Sequence, residues 1–334
     1  MDKISGLYEF IKSDSYRKAL KLPKEIKEKY TLLAQGEYNI NYQFQHPISK
    51  KQLILRVNCG SQMHLEHQIE YEYHALKLLE KSGRTPKAIY VDGSKRLLPY
   101  GVMIMEFLPG HAMDYQSEID YAASCLADIH SVKLNEISGL LYEKNSLEAI
   151  LKECEKMVKV YMDSPLGKQE TKGQLRQMLD KGWNRVKDIS MHKTYLCCIN
   201  TELNSTNFLI NGKDAPSYLI DWEKPLYGDP AQDLGHFLAP TTTFWKTDTI
   251  LSKKEMEMFL AQYIKEVNGR FDTEGLEERV YTYIPITCLR GVTWCAMAWV
   301  QYQDPNKLIR NESTSKKLDA YLSDEFLDML ERFC

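Results

Sequence analysis

The sequence predicts an α+β fold in which a small sheet comes first and a larger, mostly helical part follows. Short β-prone apolar runs bounded by turn residues predict strands at residues 38–44, 52–57, 86–91 and 101–108. Beyond residue 110, apolar residues recur at helical spacing, for example over residues 145–162 and 168–189. The Pro109-Gly110 turn separates the two parts. We therefore expect a first domain at residues 1–108 and a second at residues 109–334.

Composition narrows the classes of protein to which this chain can belong. Its 334 residues are enough for two substantial cores, and 27% charged residues are ordinary for a soluble globular protein. A net charge of −3 gives no basic surface for nucleic acid, so we expect no nucleic-acid partner. No apolar run approaches the roughly 18 residues of a membrane helix, so we expect no membrane contact.

The first residues of the chain and its cysteines indicate the cellular location of the protein. The first ten residues include Asp2 and no long apolar run, which argues against a secretory signal. Eight cysteines occur without CxxC spacing, which is typical of reduced, partly buried thiols rather than of a metal site or a disulfide framework. The sequence therefore predicts a cytoplasmic protein.

Residues 194–238 carry most of the chemistry. Three short runs predict strands at residues 195–199, 208–210 and 218–220. Polar side chains cluster where these runs end: Asn200, Glu202, Asn204, Asn207, Asp221, Glu223, Asp229 and Asp233. A carboxylate and an amide brought together in this way can bind Mg²⁺ when a phosphate supplies further oxygen ligands.

Three ordered motifs in this stretch match one family. Residues 200–207 match a His-x-Asp-x-x-x-x-Asn loop in part, residues 219–223 match an apolar strand ending in Asp, and residues 228–234 match Gly-Asp-Pro-x-x-Asp-Leu. The chain therefore resembles the aminoglycoside phosphotransferase and choline kinase family. The resemblance implies a bilobal protein-kinase-like fold, with a small antiparallel-sheet N-lobe that binds ATP and a larger, mostly helical C-lobe.

The resemblance also implies roles for residues in these motifs. Glu202 stands where the family has its catalytic Asp, which orients the acceptor hydroxyl and accepts its proton. Asn207 and Asp221 match the residues that hold Mg²⁺. Asp229 and Asp233 are expected to support the loop, since an Asp at such a position commonly accepts backbone N–H bonds.

Two positions depart from the family pattern. Glu202 reaches one methylene further than Asp, and Asn200 replaces the family's His. Phosphoryl transfer depends on positioning, and a misplacement of about 1 Å can cost roughly a hundredfold in rate. A slow kinase, a kinase with a different substrate and a protein that only binds nucleotide are all compatible with these changes.

The N-terminal part offers candidates for the phosphates of the nucleotide. Gly36 alone indicates no more than a hairpin turn, but its place resembles the family's Gly-x-x-Asn turn, which makes Gly36 and Asn39 candidates. A lone Arg on a strand is most often solvated, whereas the resemblance implies that Arg56 contacts phosphates. On the helix predicted at residues 64–81, Glu72 is favoured over Glu70 as the partner of that Arg.

The strand at residues 101–108 resembles the family's hinge between lobes. There, the resemblance implies that the backbone from Glu106 to Leu108 faces the adenine edge. A buried strand followed by a turn is an equally valid interpretation, and both can hold.

The acceptor is the least defined part of the prediction. Residues 240–245 are predicted to form a loop on the substrate side, followed by helices at residues 253–267, 274–302 and 312–332. The aromatic residues Trp245, Trp294, Trp299 and Tyr302 are either core or a cage for a quaternary ammonium group. Acids near the chain end are either solvated or face a polycationic aminoglycoside.

We therefore predict an ATP-dependent phosphotransferase that uses Mg²⁺ and acts on a hydroxyl of a small molecule, such as an aminoglycoside, a choline-like amino alcohol or a sugar. The alternative is a catalytically impaired pseudokinase that binds nucleotide and serves a structural or assembly role. The sequence does not predict an oligomeric state.

Overall fold

A computed structural model describes residues 4–36, 38–135, 138–187, 189, 194–304 and 312–333. Its helices are α1 (Leu7–Lys12), α2 (Asp14–Ala19), α3 (Gln68–Leu79), α4 (Ile119–His130), α5 (Ser146–Asp163), α6 (Gln169–Lys187), α7 (Pro230–Leu238), α8 (Pro240–Thr247), α9 (Lys253–Val267), α10 (Leu276–Gln303), α11 (Glu312–Tyr321) and α12 (Asp324–Glu331). Its strands are β1 (Thr31–Gln35), β2 (Asn39–Gln45), β3 (Gln52–Asn58), β4 (Ala88–Asp92), β5 (Gly101–Glu106), β6 (His111–Ala112), β7 (Cys197–Ile199), β8 (Phe208–Ile210), β9 (Tyr218–Leu219) and β10 (Leu226–Gly228).

The N-terminal part is built on a five-stranded antiparallel sheet with the strand order β1-β2-β3-β5-β4. Side chains alternate between the two faces of β3, so Leu53, Leu55 and Val57 are buried on one face. Helices α1 and α2 cover that face, with Phe10 and Tyr16 in the same apolar cluster. The expected α+β architecture with a small antiparallel sheet is confirmed.

A second apolar cluster runs from the sheet into the helical part. It joins Leu76 of α3 and Met103 of β5 to Leu126 of α4 and Phe237 of α7. Because apolar packing continues across residue 108, the domain boundary expected there stays a prediction.

The C-terminal part is organised around α10, which packs against α5, α6, α7, α8 and α11. Helix α7 approaches α10 closely at Gly235, where a Cβ atom would lie 2.5 Å from the Cβ atom of Tyr283. Two small antiparallel sheets, β10-β7 and β6-β8-β9, lie beside these helices and hold the loops that follow β7 and β9.

Several elements differ from the sequence-based prediction. Residues 240–245 form the start of helix α8 rather than a loop, because Pro240 is at a first-turn position where its missing N–H is not needed. The helix predicted at residues 312–332 is divided into α11 and α12, and the Ser323 side chain caps α12. Helix α3 begins at Gln68, not at residue 64, since His64 has a φ of 56°. The helix predicted to end at residue 189 is described only to Lys187 because residue 188 lies outside the described residues.

Within the described ranges, no helix combines the length and the apolarity needed to cross a membrane.

The close approach at Gly235 yields a stability prediction. Gly235→Ala places a methyl group against Tyr283 and within 3.2 Å of the Val280 carbonyl oxygen. We expect the free energy of unfolding to fall by about 1–3 kcal/mol because the two helices must separate. Gly173→Ala is the matched control: this helical glycine has nothing within 4 Å of the added atom, and we expect a gain of about 0.5–1 kcal/mol. Equal effects in chemical denaturation would contradict the prediction.

Candidate active site

The loop after β7 is held by one buried carboxylate. Asp233 is fully buried, and its two oxygens accept the backbone N–H groups of Asn200 and Thr201, each at 2.7 Å. Thr201 has a φ of 67°, which is unusual for a β-branched residue. Its hydroxyl also donates to the carbonyl oxygen of Lys224 at 2.8 Å. These contacts hold the strained turn that directs Glu202 outward.

Two further buried groups, the imidazole of His130 and the hydroxyl of Tyr263 behind it, support Asp233. The ring of His130 places Nε2 3.3 Å from Asp233 Oδ2, and Nδ1 lies 2.8 Å from the hydroxyl of Tyr263. Asp229 accepts the backbone N–H of Ala231 at the start of α7 and pairs with Arg279 at 2.6 Å. Asp229 and Asp233 therefore lie in the supporting positions expected from the sequence.

Three residues assigned to chemistry line one cleft of about 390 Å³: Glu202, Asn207 and Asp221. The amide nitrogen of Asn207 donates to the carbonyl oxygen of Glu202 at 3.0 Å. Asn200 accepts the N–H of Glu202 at 3.1 Å and donates to the carbonyl oxygen of Asp221 at 2.8 Å. Although Asn200 replaces the family's His, it ties the loop to the segment that carries Asp221.

Lys224 is a site residue that the sequence analysis missed. Its Nζ atom lies 3.2 Å from Glu202 Oε1, and the side chain is mostly buried. Burial lowers the pKa of Lys224, as does the neighbouring Arg290, while Glu202 and Glu153 oppose this. The only sequence signal for this residue is its position, directly after Glu223, which ends the motif at residues 219–223. Lys224 therefore pairs with Glu202, the carboxylate that the sequence predicts to be catalytic.

Arg56 of β3 is contacted by three carboxylates. It lies 3.2 Å from Glu72, 3.1 Å from Asp221 and 2.8 Å from Glu223. The contact to Glu72 has the distance of an ion pair without hydrogen-bond geometry. Burial lowers the pKa of Arg56, but the three acids outweigh it and raise the pKa above its usual value. Burial raises the pKa of Glu72 to about 7 against the opposing effect of Arg56. The predicted pair with Glu72 is formed, and two further acids join it.

The other nucleotide candidates lie at different distances from the cleft. Gly36 lines it, whereas Glu37 in the same turn lies outside the described residues. Asn39 is buried behind it, where its amide nitrogen donates to Glu223 Oε1. Glu106 ends β5 and Leu108 follows it, and neither is among the residues that line the cleft.

Asn207 and Asp221 fit the requirements of a Mg²⁺ ion bound together with phosphate. The hydrogen bond of Asn207 to Glu202 uses its nitrogen, and within the described part of the chain its Oδ1 atom has no hydrogen-bond partner. The Asp221 side chain is 39% exposed and opens to the same cleft. Among the described residues, no three His, Cys, Asp or Glu side chains form a metal-binding group by themselves. Two protein ligands suffice when phosphates and waters supply the rest.

The aromatic side chains at the far end of the cleft differ from the predicted cage. Trp245 and Trp294 line it, with ring centroids 5.5 Å apart and nearly perpendicular planes, and Tyr321 lies beside Trp245. Trp299 instead packs on Tyr161 and donates to Asp319. Neither Trp299 nor Tyr302 is a lining residue, so the cage of four aromatics is wrong. The acids of α11 and α12 do not line the cleft either.

Comparison with known proteins identifies the family to which the chain belongs. Residues 29–278 match the model of the phosphotransferase enzyme family. Because the match spans well over half of the sequence, the chain belongs to that family. A search of curated proteins finds no match.

Solved structures show the same fold at low identity. A choline kinase from Cryptosporidium parvum Iowa II has a TM-score of 0.68 and 12% identity, covering 97% of this chain and 95% of that chain. An ethanolamine kinase from Plasmodium vivax gives 0.62 and 16%, covering 96% and 89%. A spectinomycin phosphotransferase in complex with ADP and spectinomycin gives 0.61 and 14%, covering 92% of each chain. These structures support the bilobal kinase-like fold.

The half-buried imidazole of His236, which lines the cleft, yields a prediction about acid stability. Burial lowers its pKa to about 3, and Arg290 and Lys224 add to this effect. An unfolded His has a pKa near 6.5, so below that pH the unfolded chain binds a proton at His236 that the folded protein does not bind. The free energy of unfolding is therefore unaffected by this group above pH 6.5 and falls as the pH is lowered toward 3. We expect the wild type to lose up to about 1.4 kcal/mol more per pH unit than His236→Gln over this window. Parallel urea unfolding curves of the two proteins at pH 7, 6, 5 and 4 measure the difference, and equal slopes would contradict it.

Proposed function

We propose that the protein is an ATP-dependent kinase that transfers the γ-phosphoryl group to a hydroxyl of a small molecule. The supporting observation is the convergence of Glu202, Asn207 and Asp221 in one cleft, with the buried Arg56 beside them. The family match supports phosphotransferase activity. The spectinomycin phosphotransferase with bound ADP, a protein of the same fold, supports the use of a nucleotide.

In this proposal the two parts of the chain have separate tasks. Residues 1–108 bind ATP, with Gly36, Asn39 and Arg56 near its phosphates and the backbone from Glu106 to Leu108 near adenine. Residues 109–334 bind the acceptor. No disulfide joins the described cysteines, which suits the reducing cytoplasm that we propose as the location.

Each polar group of the cleft has a defined role in the proposed reaction. Asn207 and Asp221 hold Mg²⁺, which neutralises charge on the phosphates when bound. The acceptor oxygen forms a bond to the γ-phosphorus, the bond from that phosphorus to the bridging oxygen breaks, and ADP leaves. Glu202 orients the acceptor hydroxyl and accepts its proton.

The contact with Lys224 offsets a disadvantage of the extra methylene group in Glu202. A longer side chain has more rotamers and is harder to hold in one orientation. The contact of 3.2 Å between Lys224 and Glu202 restricts this freedom. A proton acceptor must be held within hydrogen-bond reach of the proton that it takes, and this contact helps to hold Glu202 in place.

The role of Glu202 gives a direct test of turnover. Glu202→Gln keeps the size of the side chain but removes its basicity, so we expect kcat to fall at least about a hundredfold while the affinity for Mg–ATP stays within about twofold. Production of ADP with a library of hydroxyl compounds measures turnover, and calorimetry measures binding. Glu202→Asp reports whether the longer side chain matters, because Asp is too short to keep the contact with Lys224.

The control for this test is Glu257→Gln, an exposed substitution of the same kind on α9, which should change neither quantity. Full activity of Glu202→Gln would contradict the assigned role. Clear ATP binding by the wild type without turnover of any hydroxyl compound would instead favour the nucleotide-binding pseudokinase.

A second prediction concerns the metal. Asp221→Ala removes a Mg²⁺ ligand and one of the three acids on Arg56, so binding of ATP should no longer be strengthened by Mg²⁺. Calorimetric titration of ATP with and without Mg²⁺ measures this, and a denaturation curve checks that the variant is folded. An unchanged Mg²⁺ effect in the folded variant would refute the metal site.

A further inference from the structure

A second cavity adjoins the cleft on the far side of Lys224. Its volume is about 330 Å³, and it shares His236, Thr287 and Arg290 with the cleft. Lys224 lines the second cavity while its Nζ atom contacts Glu202 in the first. We call the side chains of Lys224, His236 and Arg290 the junction, because they lie where the two cavities meet.

The junction has more hydrogen-bond donors than its protein acceptors use. Arg290 contacts Glu153 through Nε at 2.9 Å and through Nη2 at 3.5 Å. Its Nη1 atom has no hydrogen bond to any described residue. Both nearby carboxylates are already engaged, Glu153 by Arg290 and Glu202 by Lys224. An Arg side chain has five N–H donors, so several remain for a ligand.

The imidazole of His236 is a further unpaired group at the junction. Within the described residues its ring has no hydrogen-bond partner, although it lines both cavities. Its pKa is lowered by burial and then by Arg290 and Lys224, so the ring is neutral at pH 7 and offers one N–H donor. Two cations, Lys224 and Arg290, lie near this ring, together with the carboxylates Glu202 and Glu153 that pair with them.

We propose that the junction binds the carboxylate of a hydroxy-acid acceptor whose hydroxyl group lies at Glu202. The position of the acceptor hydroxyl at Glu202 depends on the proposed kinase function. The position of the acceptor carboxylate depends only on the side chains of the junction. A carboxylate matches the planar donor fork of Arg290 and accepts from Lys224 or His236 as well.

The other classes of acceptor fit less well. An ammonium or quaternary ammonium group at the junction is repelled by Lys224 and Arg290, and it competes with these cations for Glu202 and Glu153, which already pair with them. A neutral polyol satisfies donors but gains no charge-assisted hydrogen bond, which is roughly twice as strong as a hydrogen bond between neutral groups. The structure therefore favours an anionic acceptor, in contrast to the cationic acceptors considered from the sequence.

Three six-carbon compounds that differ only at C1 test the proposal: gluconate with a carboxylate, glucitol with a hydroxyl and glucamine with an ammonium group. Ligand-observed NMR gives the dissociation constants on the full chain, first without nucleotide and then with Mg²⁺ and a non-hydrolysable ATP analogue. We expect gluconate to bind at least about tenfold more tightly than glucamine, with glucitol between them.

Variants of the junction separate charge from geometry. Arg290→Met removes the cation and should bring the three affinities within about twofold of one another. Arg290→Lys keeps the charge without the planar fork and should retain part of the preference. Lys152→Met removes an exposed cation of α5 that pairs with Glu148 and should leave the preference intact. Unfolding curves verify that each variant is folded.

The outcomes are distinct. Preference for gluconate that depends on Arg290 supports the proposal. Preference for glucitol or glucamine, a preference that survives in Arg290→Met, or binding of none of the three overturns it. Because the first titrations use protein without nucleotide, failure of the kinase function shows separately, as absent binding of the ATP analogue.

Discussion

The ion cluster at Arg56 is the interaction on which the arrangement of the active site depends. One guanidinium in the N-terminal sheet is contacted by Glu72 of α3 and by Asp221 and Glu223, which follow β9 in the C-terminal part. Burying these charges is costly, and removing one partner leaves the others uncompensated. The cluster therefore fixes the sheet against the segment that carries Asp221, at the place where nucleotide and metal are proposed to meet.

The chemistry on the other side of the cleft depends on a second buried group. The Asp233 carboxylate accepts the backbone N–H of Thr201 in the turn, and Lys224 pairs with the side chain of Glu202. The strained turn is stable because its backbone N–H groups are satisfied by a carboxylate that has no access to water. One network thus spans the two parts of the chain and the other lies within the helical part, and Asn200 links the two.

Short motifs with fixed spacing were predictable from the sequence, and contacts between distant segments were not. The loop at residues 200–207, the pair of Arg56 with Glu72 and the supporting role of Asp233 all follow from local pattern and family resemblance. The junction does not, because Lys224 and Arg290 are 66 positions apart in the chain and meet only through the packing of α10. Likewise, Trp299 shares its helix with Trp294 but faces Tyr161 instead of the cleft. Aromatic residues on one helix do not reveal which of them face a cavity.

The replacement of the family's His by Asn200 changes how the hydrogen bonds of the loop respond to pH. Asn200 joins Glu202 to Asp221 through one acceptor and one donor, and an amide gains or loses no proton in the range in which His titrates. A histidine in this place would change its hydrogen bonding on protonation, whereas the amide keeps the same two bonds in acid and in alkali. The link between Glu202, the proposed proton acceptor, and Asp221, the proposed metal ligand, therefore does not depend on pH at Asn200.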